Sequence, residues 1–194
     1  MKHLKKATIL IILTMLLLVQ LVPSIGALTQ YDGVSVTFIQ QKQTAWCWAA
    51  CAEMMGKAVY PSSARNQTLV VYILKGTDEE STPNVGGTLS DCANGAAFVS
   101  YYNYTFSTSS SILPYQDLVT EMRANHPVVA GLRSESSGHM VVINGTELRD
   151  TSSEPEIYIH FVDPWDGQAH MCSYSDFCDG SYTGYEYKTA ITVD

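Results

Sequence analysis

Gln40-Gln41-Lys42-Gln43-Thr44-Ala45-Trp46-Cys47-Trp48-Ala49-Ala50 decides how this chain is read, because within it an extended polar arm becomes a helix whose first turn holds a cysteine. Upstream, Val34, Val36 and Phe38 alternate with polar residues, as a strand or extended arm does. Downstream, Cys47 to Tyr60 is rich in Ala, Met and Glu, with no Gly or Pro before Gly56, which predicts a mostly buried helix. The start of a helix presents N–H groups without intrahelical acceptors and about half a positive charge, and both favour thiolate over thiol. Cys47 is thereby placed to be acidic and nucleophilic. An isolated cysteine between two tryptophans is more often simply buried or bridged, so the rest of the chain must decide.

Moving outward, a second helix is expected over Ser62 to Leu74, ended by Gly76. A loop from Thr77 to Gly87 carries Pro83, Asn84, Gly86 and Gly87, after which Ser90 can cap a helix running to Tyr101. Ser107 to Ser111 reads as a surface loop, and Pro114 opens a helix reaching about Asn125. The second half changes character: His126 to Leu132, His139 to Ile143, Ile157 to Val162 and Tyr185 to Val193 are rich in Val, Ile and Tyr between turn-like spacers. Helices first and strands later predict an α+β fold, with no internal repeat.

A thiolate nucleophile needs a proton donor for its leaving group, normally a histidine. His126, His139, His160 and His170 remain once His3 is set aside with the N-terminal segment. His139 stands out because Gly138-His139-Met140-Val141-Val142-Ile143 sets it at the mouth of an apolar strand, directly after the flexible run Ser134 to Gly138. A third group should hold the imidazole in the useful tautomer. Asp163 ends another strand in Phe161-Val162-Asp163-Pro164-Trp165, with Asp150 and Asp166 as competing acids.

These segments together resemble the papain-like cysteine peptidases, in which a glutamine lies six residues before a nucleophilic cysteine that opens a helix and is followed by Trp-Ala. Gln41, Cys47, Trp48 and Ala49 match that pattern, as do the Gly-His of residues 138 and 139 and the Asp-Pro-Trp of residues 163 to 165. The order Cys47, His139, Asp163 is the family's order. Trp46-Cys47-Trp48-Ala49-Ala50 is most similar to compact bacterial members, the staphopain-like and plant-effector-type peptidases, which share the aspartate where papain has asparagine. The resemblance implies a papain-like fold, in which an N-terminal helical half carrying the nucleophile helix packs on a C-terminal antiparallel β-sheet half with the active-site cleft between. It implies a Cys47-His139-Asp163 triad acting through a thioester acyl-enzyme. Gln41, in preference to Gln40 or Gln43, would give its amide to the oxyanion. Gly86 and Gly87 would form the wall that receives extended substrate, with Trp48 and Trp165 beside it, and Trp165 would shield the Asp163–His139 contact from water. By the same resemblance Cys92 bridges back to the catalytic helix at Cys51. Cys172 would then pair with Cys178, leaving Cys47 free among the five cysteines. Three N-glycosylation patterns, at Asn66, Asn103 and Asn144, carry no meaning in the bacterium that the likeness implies.

Residues 1–27 read as a signal peptide: Lys2, Lys5 and Lys6 precede the apolar run Ile9 to Val19, and small residues follow at Ser24, Gly26 and Ala27. The run falls short of the ~20 apolar residues of a spanning helix, so residues 28–194 are expected as one secreted domain without stable membrane association. The chain has 11 basic and 19 acidic residues, and the three signal lysines are among the basic ones. With no basic cluster left, nucleic acid is excluded as a partner. No CxxC spacing exists for a metal, and no cofactor is implied. The expected partner is a polypeptide substrate met by a monomer. The short stretch before Cys47 has no room for an inhibitory pro-domain, so restraint, if any, would come from a separate protein inhibitor. The same groups serve any acyl transfer, so a transferase, deamidase or isopeptidase is the alternative, followed by an inactive binding module on this scaffold.

Overall fold

The computed structural model describes residues 29–76, 82–151 and 154–194. The expected signal peptide lies outside these residues, as does part of the loop from Thr77. Among the described residues, no helix is long and apolar enough to cross a membrane.

Helix α1 (Cys47–Val59) is the axis of the helical half. Trp48 to Gly56 are all buried, so this helix has no solvent-facing side along that run. Glycine at 56 is required by close approach: a Cβ there would stand 2.5 Å from the Cβ of Val99 on helix α3 (Leu89–Val99). Helix α2 (Gln67–Lys75) begins five residues later than Ser62, because extended Asn66 takes the N-cap and accepts from the N–H groups of Thr68 and Leu69. It ends at left-handed Gly76, as expected. Helix α3 is capped by Thr88 rather than Ser90, in a capping box with Asp91. Helix α4 (Tyr115–Arg123) follows Pro114.

The second half is one antiparallel sheet in the order β2 (Phe106–Ser109), β7 (Glu186–Val193), β3 (Val128–Arg133), β4 (Gly138–Arg149), β5 (Glu156–Asp163), β6 (Gln168–Ser173), with β1 (Thr29–Gly33) added against β4. Strands β3 (Val128–Arg133), β4 (Gly138–Arg149), β5 (Glu156–Asp163) and β7 (Glu186–Val193) occupy the four segments anticipated from their Val, Ile and Tyr content. Strand β4 is longer than His139 to Ile143. Its first half pairs with β3, its second half with β1, and most of its length with β5. Strand β6 (Gln168–Ser173) and short helix α5 (Tyr174–Asp179) complete the fold.

Ser107 to Ser111 is not a free surface loop. Residues Phe106–Ser109 form edge strand β2, paired with β7. Half-buried Phe106 and the unpaired backbone edge of β7 outweigh the low strand propensity of the serines. One hydrophobic core runs from Val34 and Val36 of the arm through α1 and α3 into β3, β4, β5 and β7.

A buried polar network ties the arm to helix α1. Gln67, 1% exposed, donates its backbone N–H to Glu53 on α1 at 2.8 Å. Its side chain accepts from Lys42 N at 2.8 Å and donates to Gln40 O at 3.0 Å. Gln41 N–H bonds Pro164 O at 2.7 Å, and the Gln40 amide bonds Trp165 O at 3.1 Å. The segment leading to Cys47 is thus fastened both to the helical half and to the loop after β5.

Candidate active site

Between the two halves lies a cleft of about 780 Å³. Thr44, Ala45, Cys47, Gly86 and Gly87 line it from the helical side, and Leu132, His139, Trp165 and Tyr185 from the sheet side. Chain order, strand register and helix start together bring Cys47, His139 and the glycine wall to one place.

Cys47 is the first residue of α1, and no side chain caps that helix. A helix start concentrates N–H groups and partial positive charge, and the sulfur sits there, with Ala49 N–H taken by Trp46 O at 3.0 Å. The other four cysteines are held as neutral thiols by burial. The expected bridges are not formed: all five cysteines are free. Cys51 and Cys92 lie fully inside the α1–α3 interface, where thiols serve as small apolar groups. Cys172 and Cys178, on β6 and α5, also remain unbridged.

His139 is the second residue of β4, and its Nε2 lies 2.7 Å from Oδ1 of Asp163, the last residue of β5. Burial by itself lowers the pKa of His139, but hydrogen bonding to Asp163 and to Cys47 overrides it and raises the value to about 10. For Asp163, burial pushes upward, while the His139 contact prevails and holds the carboxyl below its ordinary value. With Nε2 engaged by Asp163, Nδ1 is the nitrogen left for the sulfur. Trp165 N–H also donates to Asp163 Oδ1, at 2.8 Å, fixing the carboxylate.

The other described histidines are likewise paired with carboxylates: His126 with Glu121, His160 with Glu147, and His170 with Asp166. What sets His139 apart is the sulfur. Asp166 is committed to His170 at 2.9 Å and so does not compete for His139.

Trp48 is not a substrate contact. It is 0% exposed, its Nε1–H donates to Val85 O at 3.1 Å, and its ring lies beneath Gly87. A side chain beside the core-facing sulfur helix is worth more buried than exposed. Trp165 lines the cleft, 60% exposed, and its backbone N–H bonds Asp163. Gln41 departs from expectation too. Both N–H donors of its amide go to carbonyls, Gln43 O and Thr44 O, each at 2.9 Å, so they shape the turn before Cys47 instead of facing the cleft. Gln43 O accepts from Trp46 N–H as well, at 3.1 Å, so the amide of Gln41 adds to a turn the backbone already closes.

Residues that the sequence did not single out hold the wall in place. Asn84 accepts from Ala45 N–H at 2.8 Å and donates to Thr44 Oγ1 at 2.7 Å, while Trp46 Nε1–H donates to Pro83 O at 2.9 Å. The stretch before Gly86-Gly87 is therefore clipped to the loop that precedes Cys47. Glycine is obligatory at 87, where a Cβ would meet the Trp48 ring at 2.3 Å. Gly87→Ala is expected to lower stability by about 1–3 kcal/mol and to raise KM by displacing the wall, as thermal unfolding and steady-state kinetics will show.

The model of the Peptidase_C39 like family matches residues 34–189. The chain belongs to this family. Its members fall among papain-like cysteine peptidases at large, and the finer staphopain-like likeness is not what the match shows. The matched span contains Cys47, His139 and Asp163. No curated protein sequence matches the chain. Among solved structures, the crystal structure of UfSP from C. elegans aligns with a TM-score of 0.42 at 13% identity. That alignment covers 84% of this chain and 34% of the other, so the chain spans about a third of the length of that protein.

Proposed function

We propose that this chain is an exported cysteine endopeptidase with Cys47 as nucleophile, His139 as acid and base, and Asp163 as the group orienting His139. The observation that carries the reading is that a helix-start cysteine and a carboxylate-bound histidine line one cleft between the two halves. The Sγ thiolate of Cys47 attacks the carbonyl carbon of the substrate, and the negative charge that forms on oxygen is met by the Cys47 backbone N–H. Protonated His139 passes its proton to the amine nitrogen, which leaves as the C–N bond breaks and a thioester remains. His139 then takes a proton from water, whose oxygen attacks the thioester; the C–S bond breaks, the acid leaves, and the Cys47 thiolate beside protonated His139 is restored. Throughout, Asp163 stays ionised and keeps the imidazole in one tautomer.

Polypeptide is the substrate this cleft suits, because the Gly86-Gly87 wall offers backbone without side chains to an extended chain. Export is supported by the sequence pattern of residues 1–27. The test is purified protein incubated with a diverse peptide library. Cleavage that prior alkylation of Cys47 abolishes supports the reading. Reactive Cys47 with transfer to added amines and no hydrolysis would replace it with acyl transfer.

A further inference from the structure

Tyr185 enters the cleft from the segment just before β7, and the sequence marks it only as a strand residue. Its ring centroid lies 5.9 Å from that of His139, with the two planes at 44°. The tyrosine is held from two directions. The Thr183 hydroxyl donates to Tyr185 O at 2.7 Å and accepts from Tyr185 N–H at 3.1 Å. The Ser137 hydroxyl donates to the phenol oxygen at 3.2 Å, which joins the approach to β7 to the turn before His139. Asp163 and Cys47 account for the two nitrogens of the imidazole, and the Tyr185 ring lies beside it, with Leu132 its partner across the strands. An aromatic ring within about 6 Å of a cation attracts it and displaces water from it.

We propose that Tyr185 is a positioning residue that stabilises the protonated His139 ring and seats it between Cys47 and Asp163. This inference rests on the peptidase reading of the site. The groups facing His139 are Cys47 from α1, Asp163 from β5 and Tyr185 from the approach to β7. Arg133 on β3, Glu135 on the hairpin turn and Lys188 on β7 are the charged groups elsewhere along the cleft. None of these changes in the comparison that isolates the ring.

That comparison sets Tyr185→Leu, which keeps apolar bulk without a π face, against Tyr185→Phe, which keeps the ring and loses only the Ser137 contact. The full-length protein is labelled at histidine, and the His139 ring is titrated by NMR beside the pH profile of peptide cleavage. In Y185L the His139 titration and the alkaline limb of cleavage are expected to move down together by about one pH unit. In Y185F both should return to within a few tenths of a unit of wild type, a rescue that a purely structural role would not produce. If wild-type His139 titrates high and Y185L titrates with it, Tyr185 has no such role while the peptidase reading stands. If wild-type His139 titrates at its ordinary value, the ion pair itself is absent and both readings fall.

Discussion

Cys47→Ala is expected to remove peptide cleavage while leaving the fold intact, a loss of about 10⁴-fold or more in kcat. In the proposed mechanism the sulfur of Cys47 forms the bond to substrate, and no other cysteine is placed to replace it. Cys51 and Cys92 are fully buried, and burial holds them, with Cys172 and Cys178, as neutral thiols. Alanine fits the start of α1 because no side-chain cap is lost there. Circular dichroism and thermal unfolding should therefore match wild type within about 1 kcal/mol. Residual thiol-dependent cleavage by this variant would move the nucleophile elsewhere and undo the assignment.

Asp163→Ala should lower kcat by about 10² to 10⁴-fold, because the imidazole loses both its tautomer and the charge that keeps it protonated. Its effect on pH dependence has a defined sign. The folded-state value of His139 is raised to about 10, so the pair contributes its full stability below the ordinary histidine value and loses that contribution as pH climbs toward 10. The folded-state value of Asp163 is lowered, so its share is present above the ordinary carboxylate value and is lost as pH falls through the lowered one. Wild type is thus most favoured by this pair between about pH 4 and pH 6.5. The variant should show a flatter stability profile through both flanks, with the alkaline limb of any residual activity moved toward neutrality. Chemical denaturation at a series of pH values, with cleavage assays alongside, measures both. An unchanged alkaline limb would mean that another group holds His139 protonated.

Much of the site was legible because each contributing residue carried a local signal. Cys47 stood at a polar-to-apolar transition that starts a helix, His139 at the mouth of an apolar strand, and Asp163 at the end of another. Those placements follow from periodicity and backbone preference, which act over a few residues. The α+β order was legible for the same reason, since helical and strand-forming stretches are segregated along the chain.

Partnership is not local, and there the expectations departed from the structure. Trp48 looked like a cleft residue by its neighbour Cys47, yet a helix turns about 100° per residue and carries it under Gly87. Gln41 stood at the spacing of an oxyanion donor, but the carbonyls of Gln43 and Thr44 claim its amide. The family resemblance implied two bridges, whereas all five thiols are free. Edge strand β2 exists only because β7 offers an open edge. By itself, then, the sequence determined which residue types stand at helix starts and strand ends, and so where a sulfur, an imidazole and a carboxylate could converge. Only the tertiary structure decided which donors meet which acceptors, which tryptophan faces solvent, and that Tyr185 lies against His139, because those outcomes depend on distances across the cleft between segments far apart in the chain.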